Sequence, residues 1–212
     1  DAVAGITLTN AELNKLDASV SGTGNITITE ATDIELTDVD TADGSIVVTT
    51  TNGTITVVDV NASEDVNLTA NGATKDIIIT GAGITAGDDV TLVSADTIVG
   101  GKITADELIA TAGGVIDIQT SINTLTATTT NSNITVVEDN TLVLNNINAG
   151  TGDVSLIVLA GTLTSSGGTY ITANDLVVSS DGAVTVNTDV DTLAAMTNNA
   201  NITVDEDDNL AL

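Results

Sequence analysis

The sequence predicts an all-β fold: a right-handed parallel β-helix (β-solenoid) of about ten coils, each of roughly 20–23 residues. Three observations predict it. Long phrases recur at fixed offsets, short stretches alternate with period two, and aromatic residues are almost absent. Strands that pair with their own equivalents one coil away need repetition along the chain and small branched side chains inside.

The repeats carry most weight. Sliding the chain by 68 aligns 103–144 with 171–212 without a gap. Sliding it by 108 places Asn25, Ile26, Thr27, Glu30, Ile34, Leu36, Gly44 and Gly53 on Asn133, Ile134, Thr135, Glu138, Leu142, Leu144, Gly152 and Gly161. One phrase thus appears three times: "NITITEATDIEL" at 25–36, "NITVVEDNTLVL" at 133–144 and "NITVDEDDNLAL" at 201–212. Offsets of 68, 108 and their difference of 40 fit three, five and two coils.

Along the chain, "TNAELNKLDA" (9–18) alone has helical spacing, with Leu13 and Leu16 placed to cap an end or lie over the surface. "NITITE" then alternates, Ile26 and Ile28 to one side, Thr27 and Thr29 to the other. "DIEL", "GSIVV" and "GTITVV" repeat the device, and "TAGDDVTLVSA", "ITADELIA" and "ITANDLVV" share its vocabulary. Asn, Asp, Gly and Ser punctuate these runs as turns, and the 39 Thr residues favour strands. Propeller blades need about 40 residues each and usually aromatics, and a sandwich lacks so short a period. The solenoid remains, as one segment over 1–212 and roughly 50 Å long.

Composition narrows function. Thirty Asp and Glu face three Lys, with no Arg or His, for a formal charge of −27. Such a surface repels nucleic acid and anionic lipid. No apolar run is long enough for a membrane span. Without Cys there is neither a disulfide framework nor a thiolate metal site. The lack of Pro suits a backbone whose N–H groups serve in ladders.

Strings such as "GNITITEATDIELT", "GSIVVTTTNGTITV", "AGDDVTLVSADTI" and "GITLTNAELNKLDA" resemble the repeats of large bacterial surface exoproteins. These are of the filamentous-haemagglutinin type, exported by two-partner secretion, or autotransporter-like adhesins. The resemblance implies a right-handed β-helix projecting from a Gram-negative surface for adhesion or filament formation. It implies the shaft, since the Asn-Pro-Asn motifs of the family's secretion domain need Pro. Adjoining segments of the same solenoid, or other copies stacked end to end, are the partners expected. A filament or layer protomer is the alternative.

Acidic turns supply the candidate sites. Asp38, Asp40 and Asp43 in "DVDTADG" and Asp205, Asp207 and Asp208 in "DEDD" are candidate calcium ligands. The competing expectation is a solvated acidic turn, because the EF-hand order is not met. A carbohydrate-active β-helix enzyme would need carboxylate pairs with aromatic or basic companions, and the chain offers one Tyr and no Trp, Arg or His. Catalysis is not expected. Thr-x-Thr pairs at 7–9, 27–29, 54–56, 124–126 and 162–164 raise an ice-binding face. Their phases read as different, so ordinary outward threonines are expected. Sequons at Asn25, Asn52, Asn61, Asn67, Asn133 and Asn201 follow from the repeat vocabulary. The third phrase stops at Leu212 where the other two run on into a further coil, so the solenoid is expected to continue beyond it.

Overall fold

A computed structural model describes residues 1–168 and 170–207. It is all-β, with twenty strands in one continuous sheet and no helix among the described residues. Every named pairing is parallel, and from β1 to β17 each strand pairs with the strand two places on, so the sheet winds as a solenoid of about ten coils. The fold class read from the sequence holds.

Two columns of strands run up the rod. The first contains β1 (Ile6–Ala11), β3 (Ile26–Glu30), β5 (Ile46–Thr50), β7 (Val66–Ala70), β9 (Val90–Ser94), β11 (Glu107–Ala112), β13 (Thr124–Thr129), β15 (Leu142–Asn148) and β17 (Leu163–Ser165). The second contains β2 (Lys15–Thr23), β4 (Ile34–Asp43), β6 (Ile55–Ala62), β8 (Ile77–Ala86), β10 (Ile98–Thr104), β12 (Ile116–Ser121), β14 (Ile134–Glu138) and β16 (Val154–Val158). Near the end, β18 (Tyr170–Ser180) and β19 (Val184–Thr197) each span both columns, and β20 (Ile202–Glu206) closes the first.

Alternation decides which residues face inward. In β3, Ile26, Ile28 and Glu30 are buried while Thr27 and Thr29 face out. In β4 the alternation slips once: Ile34 and Leu36 point in, Thr37 and Asp38 both point out, then Val39 and Thr41 point in. Two outward residues in succession bend the strand, and the ladder shifts register there against β2. A coil of the first half therefore has one straight side and one bent side. Gly53 sits at a corner because a Cβ would strike the Thr32 carbonyl of the coil below.

The coil step averages close to 20 residues but varies, from 24 (Val66↔Val90) to 17 (Leu108↔Leu125). The short coils are also the narrow ones. Their inward positions carry Ala110 and Ala127, where the equivalent row below carries Ile28, Val48, Leu68 and Leu92. Fewer residues enclose less space, and alanine fills it.

Two expectations change. The helical spacing at 9–18 is not a helix: β1 ends at Ala11 and β2 begins at Lys15, with a corner between them. Leu16 points into the core as a strand residue, and Leu13 packs against the core from the corner. The repeat offsets also change. Forty residues are two coils (Ile26↔Ile46↔Val66), as expected. However, Ile26 lies in the first column and Ile134 in the second, five and a half coils on. Ile202 is back in the first column, a further three and a half coils along. The phrase encodes one straight strand and its corner, and that unit fits either side. In the second half β14 and β16 are the straight strands and β15 is the bent one, with Leu144 and Ile147 inward around its register shift.

Changing the interior tests this account. Leu68→Ala in a wide coil is expected to cost about 2–5 kcal/mol, and Ala110→Leu in a narrow coil about 1–3 kcal/mol. Urea unfolding monitored by circular dichroism measures both. A neutral Ala110→Leu would show that the narrow coils are not tightly filled.

Candidate functional site

Corners are where the ladder gives out and where the polar side chains collect. The residue just before a strand offers its side-chain oxygen to the backbone N–H of its equivalent one coil on. Asn25 accepts from Ser45 N–H (3.0 Å), Ser45 from Asp65 N–H (3.4 Å), Asp65 from Asp89 N–H (3.3 Å) and Asp89 from Glu107 N–H (3.1 Å). A second relay runs Asp33 to Thr54 N–H (2.8 Å), Thr54 to Asp76 N–H (3.3 Å) and Asp76 to Thr97 N–H (3.0 Å). Asn133 continues the device with Asp153 N–H at 2.9 Å. Only side chains with a short-reach acceptor oxygen do this, which explains the Asn, Asp, Ser and Thr at these positions.

Electrostatics follow the same geometry. Hydrogen bonding from the Thr54 N–H, then from Lys75, holds the Asp33 carboxyl below its usual range. Lys75 reaches Asp33 at 3.0 Å, Lys15 reaches Glu35 at 2.6 Å and Lys102 reaches Asp139 at 2.5 Å. All three lysines thus bind an acid of another coil. Exposed pairs of this kind add little stability each.

The repeated phrase carries a device that sequence reasoning missed. Its Glu is the fifth residue of the strand, on the same side as the two apolar residues before it, and points inward. Glu30 and Glu138 are fully buried. Glu30 accepts from the N–H groups of Leu13 (2.8 Å), Ala31 (2.9 Å) and Thr32 (3.2 Å). Glu138 accepts from Ile122 N–H (3.2 Å) and Asn140 N–H (3.0 Å), with the Thr120 hydroxyl a further partner. In the third copy Glu206 accepts from Val190 N–H (3.2 Å) and the Thr188 hydroxyl (2.5 Å). Each carboxylate ties its own strand to the corner of the coil before. The signal was present in the sequence as an acid on the apolar parity of an alternating strand.

Of the first three candidate calcium ligands, Asp43 parts from the other two. Asp38 and Asp40 lie together on the outer side of β4, beside Asp17 and Asp59 of neighbouring coils. The hydrogen bond to Asp40, and that group's charge, hold the Asp38 carboxyl above its usual value, with Asp17 and Asp59 adding to the effect. Asp40 also accepts from Asn61 Nδ2 (2.9 Å), while Asp43 turns to the Thr23 hydroxyl (2.8 Å). Asp205 and Asp207 are exposed at the end of β20, and Asp208 lies outside the described residues. Among the described residues no three acidic side chains form a group that could hold a metal ion.

Two shallow depressions mark the surface. One is lined by Ile157, Leu159, Asp181 and Met196, the other by Thr151, Asn174, Asp189 and Asp191. The second places two exposed carboxylates on one strand, with neither Lys nor an aromatic side chain lining it. Among the described residues no helix is long and apolar enough to cross a membrane, and no buried side-chain nitrogen or oxygen lacks a partner. What the geometry and the residues define as a class is a β-helix repeat protein. No family model matches the chain, and neither a characterised protein nor a solved structure does.

The carboxylates give two expected outcomes. Glu138→Ala strands the buried Ile122 N–H and is expected to cost about 2–3 kcal/mol. Burial raises the Glu138 carboxyl above 4.5, so the folded state holds its proton more tightly than the unfolded chain. Its contribution is therefore full below that value and is lost as pH rises through the raised one. Glu138→Gln is expected to flatten that part of the stability–pH curve, read by chemical denaturation from pH 4 upward. For the outer cluster, Asp38→Asn is expected to raise the melting temperature at neutral pH and low salt, with the gain shrinking as salt screens the remaining acids.

Proposed function

We propose that this chain is a structural, non-catalytic shaft segment of an extracellular bacterial adhesin or filament. The observation that carries the reading is the unbroken stack of about ten coils, in which polar side chains at the corners serve the next coil. A shaft has to transmit load and hold a distal part away from its base. Parallel ladders along the whole rod do this, because pulling on one end loads many hydrogen bonds together. The acidic coat keeps neighbouring shafts apart and soluble. The filamentous-haemagglutinin-like vocabulary of the repeats supports the same reading, with the Gram-negative cell surface as the place of work and adjoining segments of the same solenoid as partners.

Antibodies raised against the folded chain test this on intact bacteria of the source strain. Gold label is expected on unpermeabilised cells, standing off from the outer membrane. Label that appears only after permeabilisation would refute a surface shaft.

A further inference from the structure

The straight strands of the first column form a long uncharged face. From β3 to β13 they pair without a single register shift. Their outward positions form two rows: Thr27, Val47, Asn67, Thr91, Ile109 and Thr126, and beside them Thr29, Thr49, Thr69, Val93, Thr111 and Thr128. The threonines therefore share one phase far more than the spacing of Thr-x-Thr pairs suggested, and Thr7 stacks on Thr27 to extend the first row.

None of these twelve positions is charged, although the chain has 30 acidic residues. The acids at its leading rim do not reach over it. Asp65 and Asp89 turn along the axis to the next coil, and Glu107 accepts from Asn145 Nδ2 (2.9 Å). The bent side carries Asp17, Glu35, Asp38, Asp40 and Asp59 instead.

The geometry points to this face as a lateral contact between two copies of the chain, packed straight side to straight side about a two-fold axis. Charge selects the occupant. Two molecules of formal charge −27 repel through their acidic sides, and here, over six consecutive strands, they can meet without opposing carboxylates. Shape agrees, since unshifted rows of side chains about 4.8 Å apart, β-branched at every position but Asn67, can interdigitate with the same rows on a partner sheet. Size sets the strength. Six strands of five residues present on the order of 480 Å² per copy, about 950 Å² for the pair, at the low end of specific interfaces. The contact is weak and reversible, and it strengthens as salt screens the net charge. It does not depend on where the protein resides.

Sedimentation of the whole chain over a range of concentrations tests it at about 20 mM and about 300 mM salt, roughly 20 and 6 Å of screening length. The wild type is expected to dimerise, more strongly at high salt. Thr49→Glu with Thr69→Glu is expected to remain monomeric while keeping the wild-type circular dichroism spectrum, and mixing it with Thr49→Lys, Thr69→Lys is expected to restore a heterodimer. Thr56→Glu with Thr85→Glu, on the bent side, is expected to dimerise as the wild type does. Monomer at every concentration and salt would overturn the proposal. So would dimers that survive the face variant but are lost with Met196→Glu, on the other column. A monomer that instead shapes growing ice crystals through the same rows would assign the face to an ordered water lattice and equally refute a second copy.

Discussion

Each coil must turn without leaving backbone N–H groups stranded, and the rest of the structure depends on how that is met. Parallel ladders satisfy the straight runs automatically, but at a corner the chain leaves the ladder direction. Here an acceptor oxygen from the residue before the strand is handed to the coil above, as Asn25 does for Ser45 and Asp33 for Thr54. Because the acceptor belongs to one coil and the donor to the next, this bond aligns coils as well as closing a turn. Where the chain comes round from the inside, the buried carboxylates of Glu30 and Glu138 do the same work from within. An isolated coil has nothing to give its oxygens to, so stability accrues only on stacking.

That requirement also gives some of the acidic residues a structural role. A carboxylate is an acceptor with two oxygens and no donor to satisfy, which suits a position that must receive an N–H from above. Asp33, Asp65, Asp76 and Asp89 at the corners, with Glu30, Glu138 and Glu206 from within, are such acceptors and supply part of the negative charge. The cost appears where several face outward together, as at Asp17, Asp38, Asp40 and Asp59, where Asp38 retains its proton more readily than usual. The straight face, which turns no corner, needs no such acceptors and carries none.

The architecture was legible in the sequence because period-two alternation and distant self-similarity report directly on which residues point inward and which stack. Ile26 and Ile28, with the outward Thr27 and Thr29, behave as their alternation implies. What could not be read was phase within the coil. Offsets of 68 and 108 count residues, and coils of 17 to 24 residues make the count ambiguous by half a turn. The leucines of 9–18 looked helical because a corner inserted between two strands mimics a three-residue spacing. The threonine rows are hidden in the sequence for the same reason as the half-turn, since stacking across unequal coils brings together residues whose sequence spacing differs. Glu30 was aligned with Glu138, yet an acid in an alternating strand reads by habit as outward. Asp38, Asp40 and Asp43 are neighbours along the chain, and in the fold Asp43 accepts from Thr23 while Asp38 stays beside Asp40.

The half-turn offset between copies of the repeated phrase has a genetic consequence. In a solenoid whose two sides were chemically distinct, unequal crossing-over between copies out of phase would place an inward surface where no cavity awaits it. Here a strand opening on Asn-Ile-Thr and ending on an inward Glu sits in the first column at 26 and in the second at 134. Either column can receive it, so exchanges that add or remove half a coil still yield a chain that closes. A copy of the phrase displaced by half a coil, about ten residues, therefore meets an inward row in whichever column it enters.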